Sequence, residues 1–355
     1  MLPDPVDRLI LDVAREHLAG RAFGRCVVLE DRAGALAGAC LDEPTTIDVR
    51  LSCDSLLDER DAVAAHPSLR GRTLDDPGTL AGADLVLFRL PRSVDAVRLI
   101  AERIAAAAAP DVLVVGAARV KHMSTTMNTA LAAGFEHVSA SLGRAKSRAL
   151  VATGPRPTGN LVEPRSRDEQ RLGFVVHAEA GVFAGTRLDH GTALLASRLG
   201  RLADDLTDPP TRAVDLGCGS GVLTTLLARR FPAAAVTGID VSAAACRSTR
   251  LTVDAAGVGG RVDVRRSVGL EDTTAHSVDL VVSNPPFHRD AAKDSRLASE
   301  MIAGAGRALR PGGELWLVWN SHLPYRPWLR THVGPTQVVA RTPAYTLTRS
   351  VAAGV

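Results

Sequence analysis

This 355-residue chain contains a glycine-rich segment between an apolar strand and a helix, and the segment limits the chain to few possible folds. It reads Asp215-Leu-Gly-Cys-Gly-Ser-Gly221 and precedes a predicted helix from Val222 to Phe231. Glycine permits a tight turn and the close approach of a ligand to the backbone. A second predicted strand, Ala235 to Ile239, ends in Asp240, whose carboxylate can accept hydrogen bonds from both hydroxyls of a ribose. This spacing predicts an α/β fold that binds a nucleotide-like ligand at the carboxyl ends of its strands.

The residues of the glycine loop narrow the choice of ligand. The loop lacks the Lys-Ser or Lys-Thr pair of a phosphate-binding P-loop. Asp215, at the end of the strand, would repel a pyrophosphate, but it could bind a cationic amino group directly or through water. These features favour S-adenosylmethionine over NAD.

A second segment, Val281-Val-Ser-Asn-Pro-Pro-Phe-His288, begins as a buried strand and ends in a rigid polar tip. Asn284 offers a carboxamide oxygen, and the two prolines fix φ and hold the preceding residues extended. The Pro285 carbonyl is therefore predicted beside the Asn284 oxygen, with the flat face of Phe287 next to both. Two fixed acceptors beside an aromatic ring suit a planar group with an exocyclic amine, because accepting its N–H bonds localises the nitrogen lone pair for attack. The alternative is a strand-ending turn, in which Asn-Pro is common.

Together, Asp215–Gly221, Asp240 and Asn284-Pro-Pro-Phe287 resemble a class I S-adenosylmethionine-dependent methyltransferase of the kind that methylates amino groups. Two further segments are similar to ribosomal RNA guanine-N2 methyltransferases, more to the large-subunit type. These are His177-Ala-Glu-Ala-Gly-Val-Phe183 with Leu188-Asp-His-Gly191, and Asn320-Ser-His-Leu323. The resemblance covers nearly all of the second half of the chain and, more loosely, the first half.

The resemblance implies roles for individual residues. S-adenosylmethionine is expected to be bound by Asp215, Gly217, Cys218, Gly219, Gly221, Asp240, Val241, Ser267 and Asn284. Catalysis is expected to involve Asn284, Pro285, Pro286 and Phe287, and substrate binding Phe287 and His288. A guanine would be flipped out of its RNA context, or taken from a loop, and stacked on Phe287. No strong base is required, because the methylated amine is acidic enough to lose its proton to water.

Three alternative functions stay open from the sequence. A glutamine-N5 protein methyltransferase also uses an Asn-Pro-Pro loop, usually followed by tyrosine and preceded by a different, helical domain. A DNA adenine-N6 methyltransferase uses related tetrapeptides, but no target-recognition region is evident. A non-catalytic RNA-binding or ribosome assembly factor is disfavoured, because the glycine loop, Asp240 and Asn284 are all intact.

The first half of the chain repeats the pattern of the second. Asp84-Leu-Val-Leu-Phe-Arg-Leu-Pro91 parallels Asp279-Leu-Val-Val-Ser-Asn-Pro-Pro286, so that Arg89-Leu90 stands where Asn284-Pro285 stands. Alternating strands and helices predict a parallel sheet in each half. We interpret the chain as two tandem Rossmann-like methyltransferase domains. The first is degenerate, and the second is a seven-stranded sheet that ends in an antiparallel hairpin, Gln337 to Arg341 and Tyr345 to Val351. Two unrelated α/β domains are the alternative.

The predicted boundaries place a degenerate domain for RNA recognition or stabilisation at 1–153, a basic linker at 154–172 and the catalytic domain at 173–355. The stretch 141–171 carries seven Lys or Arg against three acidic residues. Arg144, Lys146 and Arg148 are predicted to bind RNA phosphates. A solvated loop is the alternative explanation for these charges.

Composition adds the remaining expectations. A net charge of +3 is too small to prove a nucleic-acid partner. The five cysteines lack metal-ligand spacing and fit a reducing cytoplasm. Neither a signal peptide nor a membrane-spanning apolar run is evident. We therefore expect a cytoplasmic, metal-free protein, monomeric and off the membrane, that acts on ribosomal RNA or a ribosomal assembly intermediate.

Overall fold

The computed structural model describes residues 4–157, 159, 164–205, 209–285 and 291–354. The chain divides into two compact units, Met1–Glu163 and Pro164–Val355. The predicted linker, 154–172, spans this division, and it includes Arg165–Glu169, which forms a strand in the second unit.

The first unit contains a mixed sheet with helices between its strands. The strands are β1 Arg25–Leu29, β2 Asp48–Ser52, β3 Gly71–Arg72, β4 Leu85–Arg89, β5 Leu113–Arg119, β6 Phe135–Ala140 and β7 Ser147–Pro155. The helices are α1 Pro5–Leu18, α2 Ala35–Leu41, α3 Leu56–Ala65, α4 Pro77–Leu80, α5 Val94–Ala107 and α6 Thr126–Ala132.

The second unit repeats this arrangement after a two-stranded sheet of β8 Arg165–Glu169 and β9 Phe174–Ala178. Its main sheet contains β10 Arg212–Leu216, β11 Ala235–Asp240, β12 Val262–Arg266, β13 Val278–Ser283, β14 Leu309–Asn320, β15 Thr336–Arg341 and β16 Tyr345–Val351. The helices are α7 His190–Asp205, α8 Val222–Arg230, α9 Ala243–Ala255, α10 Ala291–Ala308 and α11 Tyr325–His332.

The two large sheets have the same strand order. It is β3-β2-β1-β4-β5-β7-β6 in the first unit and β12-β11-β10-β13-β14-β16-β15 in the second. In each sheet the first five strands of this order run parallel. The sixth strand, β7 or β16, runs antiparallel to both of its neighbours. The prediction of two tandem Rossmann-like domains, the second ending in an antiparallel hairpin, is confirmed.

Both faces of each sheet are covered, as expected of parallel strands joined by helices. On β1, Cys26 and Val28 belong to one hydrophobic cluster, and Val27 and Leu29 belong to another. The alternation follows from the two-residue period of a strand, which sends successive side chains to opposite faces. The chain therefore needs near-continuous apolar runs at its central strands, and these runs are what the sequence pattern detected.

Equivalent hydrogen bonds recur at equivalent places in the two units. Asp84 accepts from the N–H groups of Gly24 and Arg25, just as Asp279 accepts from those of Thr211 and Arg212. A serine also caps the helix after the second strand in each unit, Ser55 for α3 and Ser242 for α9. These repeated polar contacts, together with the common strand order, support an internal duplication.

The three basic residues predicted to bind RNA phosphates lie on the hairpin of β6 and β7. Residues 144–148 belong to the first sheet, because Ser147–Pro155 is a strand paired with both β5 and β6. Ala145 and Lys146 form its two-residue turn, with φ of 48° and 60°. Two consecutive positive φ values are typical of a tight hairpin turn. Arg144, Lys146 and Arg148 are exposed, whereas Ser147 and residues 149–152 are buried. The exposed charges at the turn made the start of this strand hard to recognise in the sequence.

Candidate active site

The glycine loop joins β10 to α8 and opens on a cleft. Gly217, Gly219 and Gly221 have φ of +83°, +55° and +81°, which side chains rarely tolerate. A Cβ atom at Gly217 or Gly219 would meet nothing within 4 Å, whereas one at Gly221 would lie 2.9 Å from Cα of Thr249. The first two glycines therefore leave bare backbone facing open space, and the third allows α8 and α9 to pack closely.

Asp240 ties the end of β11 to this loop. Its Oδ2 accepts from the N–H of Gly219 at 3.1 Å, and its Oδ1 accepts from the N–H of Ser242 at 2.9 Å. The side chain is half-buried. A carboxylate has about four lone-pair sites, so acceptor capacity is left for a ligand. Asp240 thus combines a structural task in the loop with an acceptor position at its rim.

Asp215 lies beneath the loop, fully buried. Its Oδ2 accepts from the hydroxyl of Thr224 at 2.6 Å, and its Oδ1 has no hydrogen-bond partner among the described residues. Burial, together with the negative charge of Asp240, raises the pKa of Asp215 to about 7, although the hydrogen bonds from Thr224 lower it. A nearby cation would satisfy the unpaired oxygen and favour the charged form.

Cys218 and Ser267 are buried near Asp240. The Cys218 sulfur accepts from the hydroxyl of Thr249 at 3.2 Å, and a hydrogen bond with Cys246 and burial raise the pKa of Cys218. The thiol is therefore a packing group, not a nucleophile.

Ser267 was expected from the resemblance to stand near an adenine, although its side chain is short. Its N–H donates to the carbonyl of Asp240, and its hydroxyl donates to Oδ2 of Asp272 at 2.9 Å. Asp272, which is exposed, brings a carboxylate that sequence reasoning missed. Val241, half-buried, follows Asp240 directly at the end of β11.

Asn284 stands at the end of β13 with both of its N–H bonds engaged. Its Nδ2 donates to Oδ2 of Asp189 at 3.0 Å and to Oγ1 of Thr192 at 2.9 Å. An ionised carboxylate only accepts, so the amine side of the carboxamide must face Asp189 and the oxygen must face away. No group among the described residues donates to the Asn284 oxygen. Pro285, which follows, is buried.

Asp189 also caps α7. Its Oδ2 accepts from the N–H groups of Gly191 and Thr192 at 2.9 and 3.2 Å. Sequence analysis missed the bond between Asp189 and Asn284. The predicted residues Pro286, Phe287 and His288 lie outside the described residues.

The two predicted segments meet at one cleft of about 420 Å³, including the open space at its mouth. Its walls come from the glycine loop, from Asn284 and from the segment before α7. They include Phe183, Leu188, Asp189, Thr192, Gly217, Cys218, Gly219, Ser220 and Asn284. A ligand in this cleft would contact the bare backbone of the loop on one side and the Asn284 carboxamide on the other.

The first unit fills the equivalent places with its own side chains. The strand registers of the two sheets make Glu30 the equivalent of Gly217 and Cys53 the equivalent of Asp240. Glu30 has φ of +58°, and its Oε1 accepts from the N–H of Asp54 at 3.0 Å. Burial raises the pKa of Glu30 to about 7. The bare loop and the acceptor carboxylate of the second unit are therefore both lost here.

Arg89, the counterpart of Asn284, forms ion pairs with Asp4 and Asp7. A guanidinium only donates, so no acceptor oxygen remains at this position. Elsewhere in the first unit, Arg144 pairs with Glu16 at 2.8 Å, while Lys146 and Arg148 are exposed beside it on the β6–β7 hairpin.

Within the described ranges, no group of histidine, cysteine, aspartate and glutamate could hold a metal ion. Among these same residues, no helix combines the length and the apolar character that crossing a membrane requires.

Comparison with known proteins extends over both units. Residues 173–349 match the family model "Methyltransferase small domain", and residues 4–156 match "RLMG N-terminal domain". The chain is 34% identical over 368 residues to the ribosomal RNA large subunit methyltransferase G of Streptomyces avermitilis, covering 98% of this chain and 94% of that protein. The protein of the same name from Streptomyces coelicolor is 34% identical over 372 residues, with 98% and 96% covered.

Two further matches concern a different enzyme. The ribosomal RNA small subunit methyltransferase C of Pseudomonas aeruginosa is 41% identical, but over only 45% of this chain and 46% of that protein. The T. thermophilus 16S rRNA N2 methyltransferase RsmC, solved in complex with AdoMet and guanosine, superposes with a TM-score of 0.80 at 23% identity. That match covers 98% of this chain and 92% of the solved one, and shows a shared two-unit fold.

Proposed function

The chain belongs to the ribosomal RNA large subunit methyltransferase G family, and we propose that it methylates the exocyclic N2 amine of a guanine in ribosomal RNA. The methyl donor is S-adenosylmethionine. Large-subunit RNA is the proposed substrate, since the relatives that match along nearly the whole chain carry that name.

The observation that carries the proposal is the state of Asn284. Both of its N–H bonds are taken by Asp189 and Thr192, so the atom left for a substrate is an oxygen. An acceptor at the end of β13, across the cleft from a bare glycine loop, suits an amine that has N–H bonds to donate. This arrangement favours methylation of an amino group over methylation of a hydroxyl or a ring carbon.

The cleft fits S-adenosylmethionine on three counts. Gly217 and Gly219 leave space where a Cβ atom would otherwise project. Asp240 can accept hydrogen bonds from a ribose. Oδ1 of Asp215, which has no partner among the described residues, can accept from a donor or a cation. We propose that Gly221, Cys218, Val241 and Ser267 support these groups from behind the loop. When bound, the cofactor supplies an electrophilic methyl group.

The residues of the chain contribute mainly position and electrostatics. Asn284 and the Pro285 carbonyl accept the two N–H bonds of the guanine amine, which localises the nitrogen lone pair for in-line attack. Phe287 and His288 are proposed to hold the base, Phe287 by stacking. After transfer, the nitrogen bears the methyl group and both of its hydrogens and is cationic, and it loses one proton to water. Pro286 is proposed to keep the loop rigid.

The affinity for S-adenosylmethionine is expected to rise with pH because of Asp215. With a pKa of about 7, Asp215 is mostly protonated at pH 6, and a cationic ligand favours its charged form. Binding must then release a proton, which costs affinity below the pKa. Between pH 6 and 7.5 the dissociation constant is expected to fall by up to about eightfold. Calorimetry across this range checks the expectation, and the Asp215→Asn variant should show a flatter profile; an equal slope in that variant contradicts it.

The β6–β7 hairpin is proposed to contact RNA phosphates through Arg144, Lys146 and Arg148. Replacing all three by glutamine is expected to weaken RNA binding and to reduce the salt slope by about one for each lost phosphate contact. Binding of S-adenosylmethionine should not change. Arg144 also pairs with Glu16, so the Glu16→Gln variant serves as the control for loss of that pair. An unchanged salt slope in the triple variant would make the hairpin a solvated surface.

We also propose that the protein is a cytoplasmic monomer whose first unit recognises RNA or stabilises the second unit. The experiment that tests the function uses ribosomal RNA, and separately ribosomal assembly intermediates, from a strain that lacks the gene. The purified chain with labelled S-adenosylmethionine should produce N2-methylguanosine, located by mass mapping. Labelling of a protein glutamine instead, or of neither RNA form, would refute the proposal.

A further inference from the structure

We propose that Asp189 and Thr192 are positioning residues that fix the orientation of the Asn284 carboxamide, so that its oxygen and not its amine faces the substrate. The inference rests on the proposed function and adds two residues to its site, both at the start of α7. Neither side chain needs to touch the reacting atoms, because both act through Asn284.

The geometry gives each residue a separate bond. Asp189 is the cap of α7 and Thr192 lies in its first turn, so a single helix end presents two acceptors 3.0 and 2.9 Å from Nδ2 of Asn284. The hydroxyl of Thr192 can donate or accept, but the carboxylate of Asp189 can only accept. Asp189 therefore decides the direction of the pair, and Thr192 completes it.

Such a device is needed because the two ends of a carboxamide have nearly the same shape. Rotated by half a turn, Asn284 would present N–H bonds to a substrate amine that itself has N–H bonds to donate. Donor would then face donor, and the guanine amine would lose its fixed acceptor. With both N–H bonds held by α7, the productive orientation exists before the substrate arrives.

Gly191 leaves space for the side-chain oxygen of Asn284. A Cβ atom there would lie 3.0 Å from Oδ1 of Asn284, 3.1 Å from Oδ2 of Asp189 and 3.2 Å from Cε1 of Tyr345. These distances are tighter than ordinary van der Waals contact, so a side chain would press on both members of the pair. The absence of a side chain at this buried helical position is therefore tied to the Asn284 network.

The first unit supplies an internal comparison. There Asp4 caps α1, as Asp189 caps α7, and Asp7 stands three residues later, as Thr192 does. Both carboxylates hold Arg89, the counterpart of Asn284. The framework that holds the residue at the strand end thus persists in both units. Only in the second unit does this framework hold a side chain, Asn284, that has an acceptor oxygen outside these bonds.

The test compares variants that separate capping from positioning. Serine is as good a helix cap as aspartate, but its shorter side chain should not reach Asn284. Asparagine keeps both the cap and an acceptor oxygen. We expect Asp189→Ser and Thr192→Val to lower kcat by about tenfold, the effect of one lost hydrogen bond. Asp189→Asn and Thr192→Ser should retain most of the wild-type kcat. The dissociation constant for S-adenosylmethionine should stay within about twofold and the Tm nearly unchanged.

Ser197→Ala, on the exposed side of the same helix, is the matched control and should behave as the wild type. A purely structural role for Asp189 predicts that Asp189→Ser and Asp189→Asn have equal kcat, and that result would overturn the inference. A readout independent of activity is the side-chain amide resonance of Asn284, identified by its loss in Asn284→Ala. Both of its hydrogens should be protected from exchange in the wild type, and the hydrogen bonded to Asp189 should lose this protection in Asp189→Ser.

The two readouts separate the inference from the function on which it rests. A wild-type protein that fails to methylate guanine refutes the proposed function, whatever the amide resonance shows. An active wild type with an unprotected Asn284 amide refutes the positioning role alone.

Discussion

Replacement of Asn284 by alanine is expected to lower turnover by about a hundredfold or more, the scale for loss of one preorganised polar group at a reacting centre. The change removes the acceptor for the guanine amine and leaves the glycine loop in place. Asp189 keeps its bonds to the N–H groups of Gly191 and Thr192, so α7 stays capped. Affinity for S-adenosylmethionine should therefore change by no more than about 0.5 kcal/mol. Single-turnover kinetics on ribosomal RNA, with calorimetry for the cofactor, measure the two effects.

The aspartate variant at the same position sharpens this expectation. From the sequence, Asn284→Asp keeps an acceptor and should retain more activity than alanine. The structure reverses that order, because the new carboxylate would face the carboxylate of Asp189 across the 3.0 Å now bridged by an N–H bond. Two carboxylates so close share a proton, so activity should recover as the pH falls. If Asn284→Ala methylates ribosomal RNA at the normal rate, the proposed chemistry is wrong and the loop is only a turn.

Replacement of Asp240 by alanine is expected to weaken binding of S-adenosylmethionine by about 1.5–3 kcal/mol, the range for a lost hydrogen bond to a charged group. The loss has two sources. The ribose loses its acceptor, and the N–H groups of Gly219 and Ser242 lose the carboxylate that holds the loop in shape. Asp240→Asn should also bind S-adenosylmethionine more weakly than the wild type, since the NH2 group of the asparagine would face the N–H of either Gly219 or Ser242. Calorimetry of both variants tests this order.

The control for Asp240 is Asp263→Ala on the neighbouring strand β12, where the carboxylate is exposed and pairs with Arg265. Its affinity for S-adenosylmethionine should equal that of the wild type. The same titrations count sites. We expect one per chain, because Glu30, Cys53 and Arg89 replace the groups that the second unit uses. Two equivalent sites would refute a degenerate first unit, and an unchanged affinity in Asp240→Ala would remove that residue from the ribose site.

The residues of the second unit that carry the proposed chemistry were recognisable from the sequence. The glycine loop, Asp240 and Asn284 could be found because each follows directly on an apolar strand, and the carboxyl ends of parallel strands meet at one edge of a sheet. The duplication was visible for a similar reason. Asp84 and Asp279 open matching apolar strands, and both units use them to bind the start of the adjacent strand.

The contacts that hold these groups in place depend on tertiary packing and were not visible in the sequence. Asp189 and Asn284 are 95 residues apart, and a helix cap looks the same in sequence whether or not it also binds another side chain. The strand of the β6–β7 hairpin was not predicted, because its exposed charges lie at its turn and the pairing that buries the strand comes from distant residues. The full burial of Asp215 and its raised pKa likewise depend on packing around β10. Local pattern fixes which side chains stand at the ends of strands, whereas the environment of each depends on elements far away along the chain.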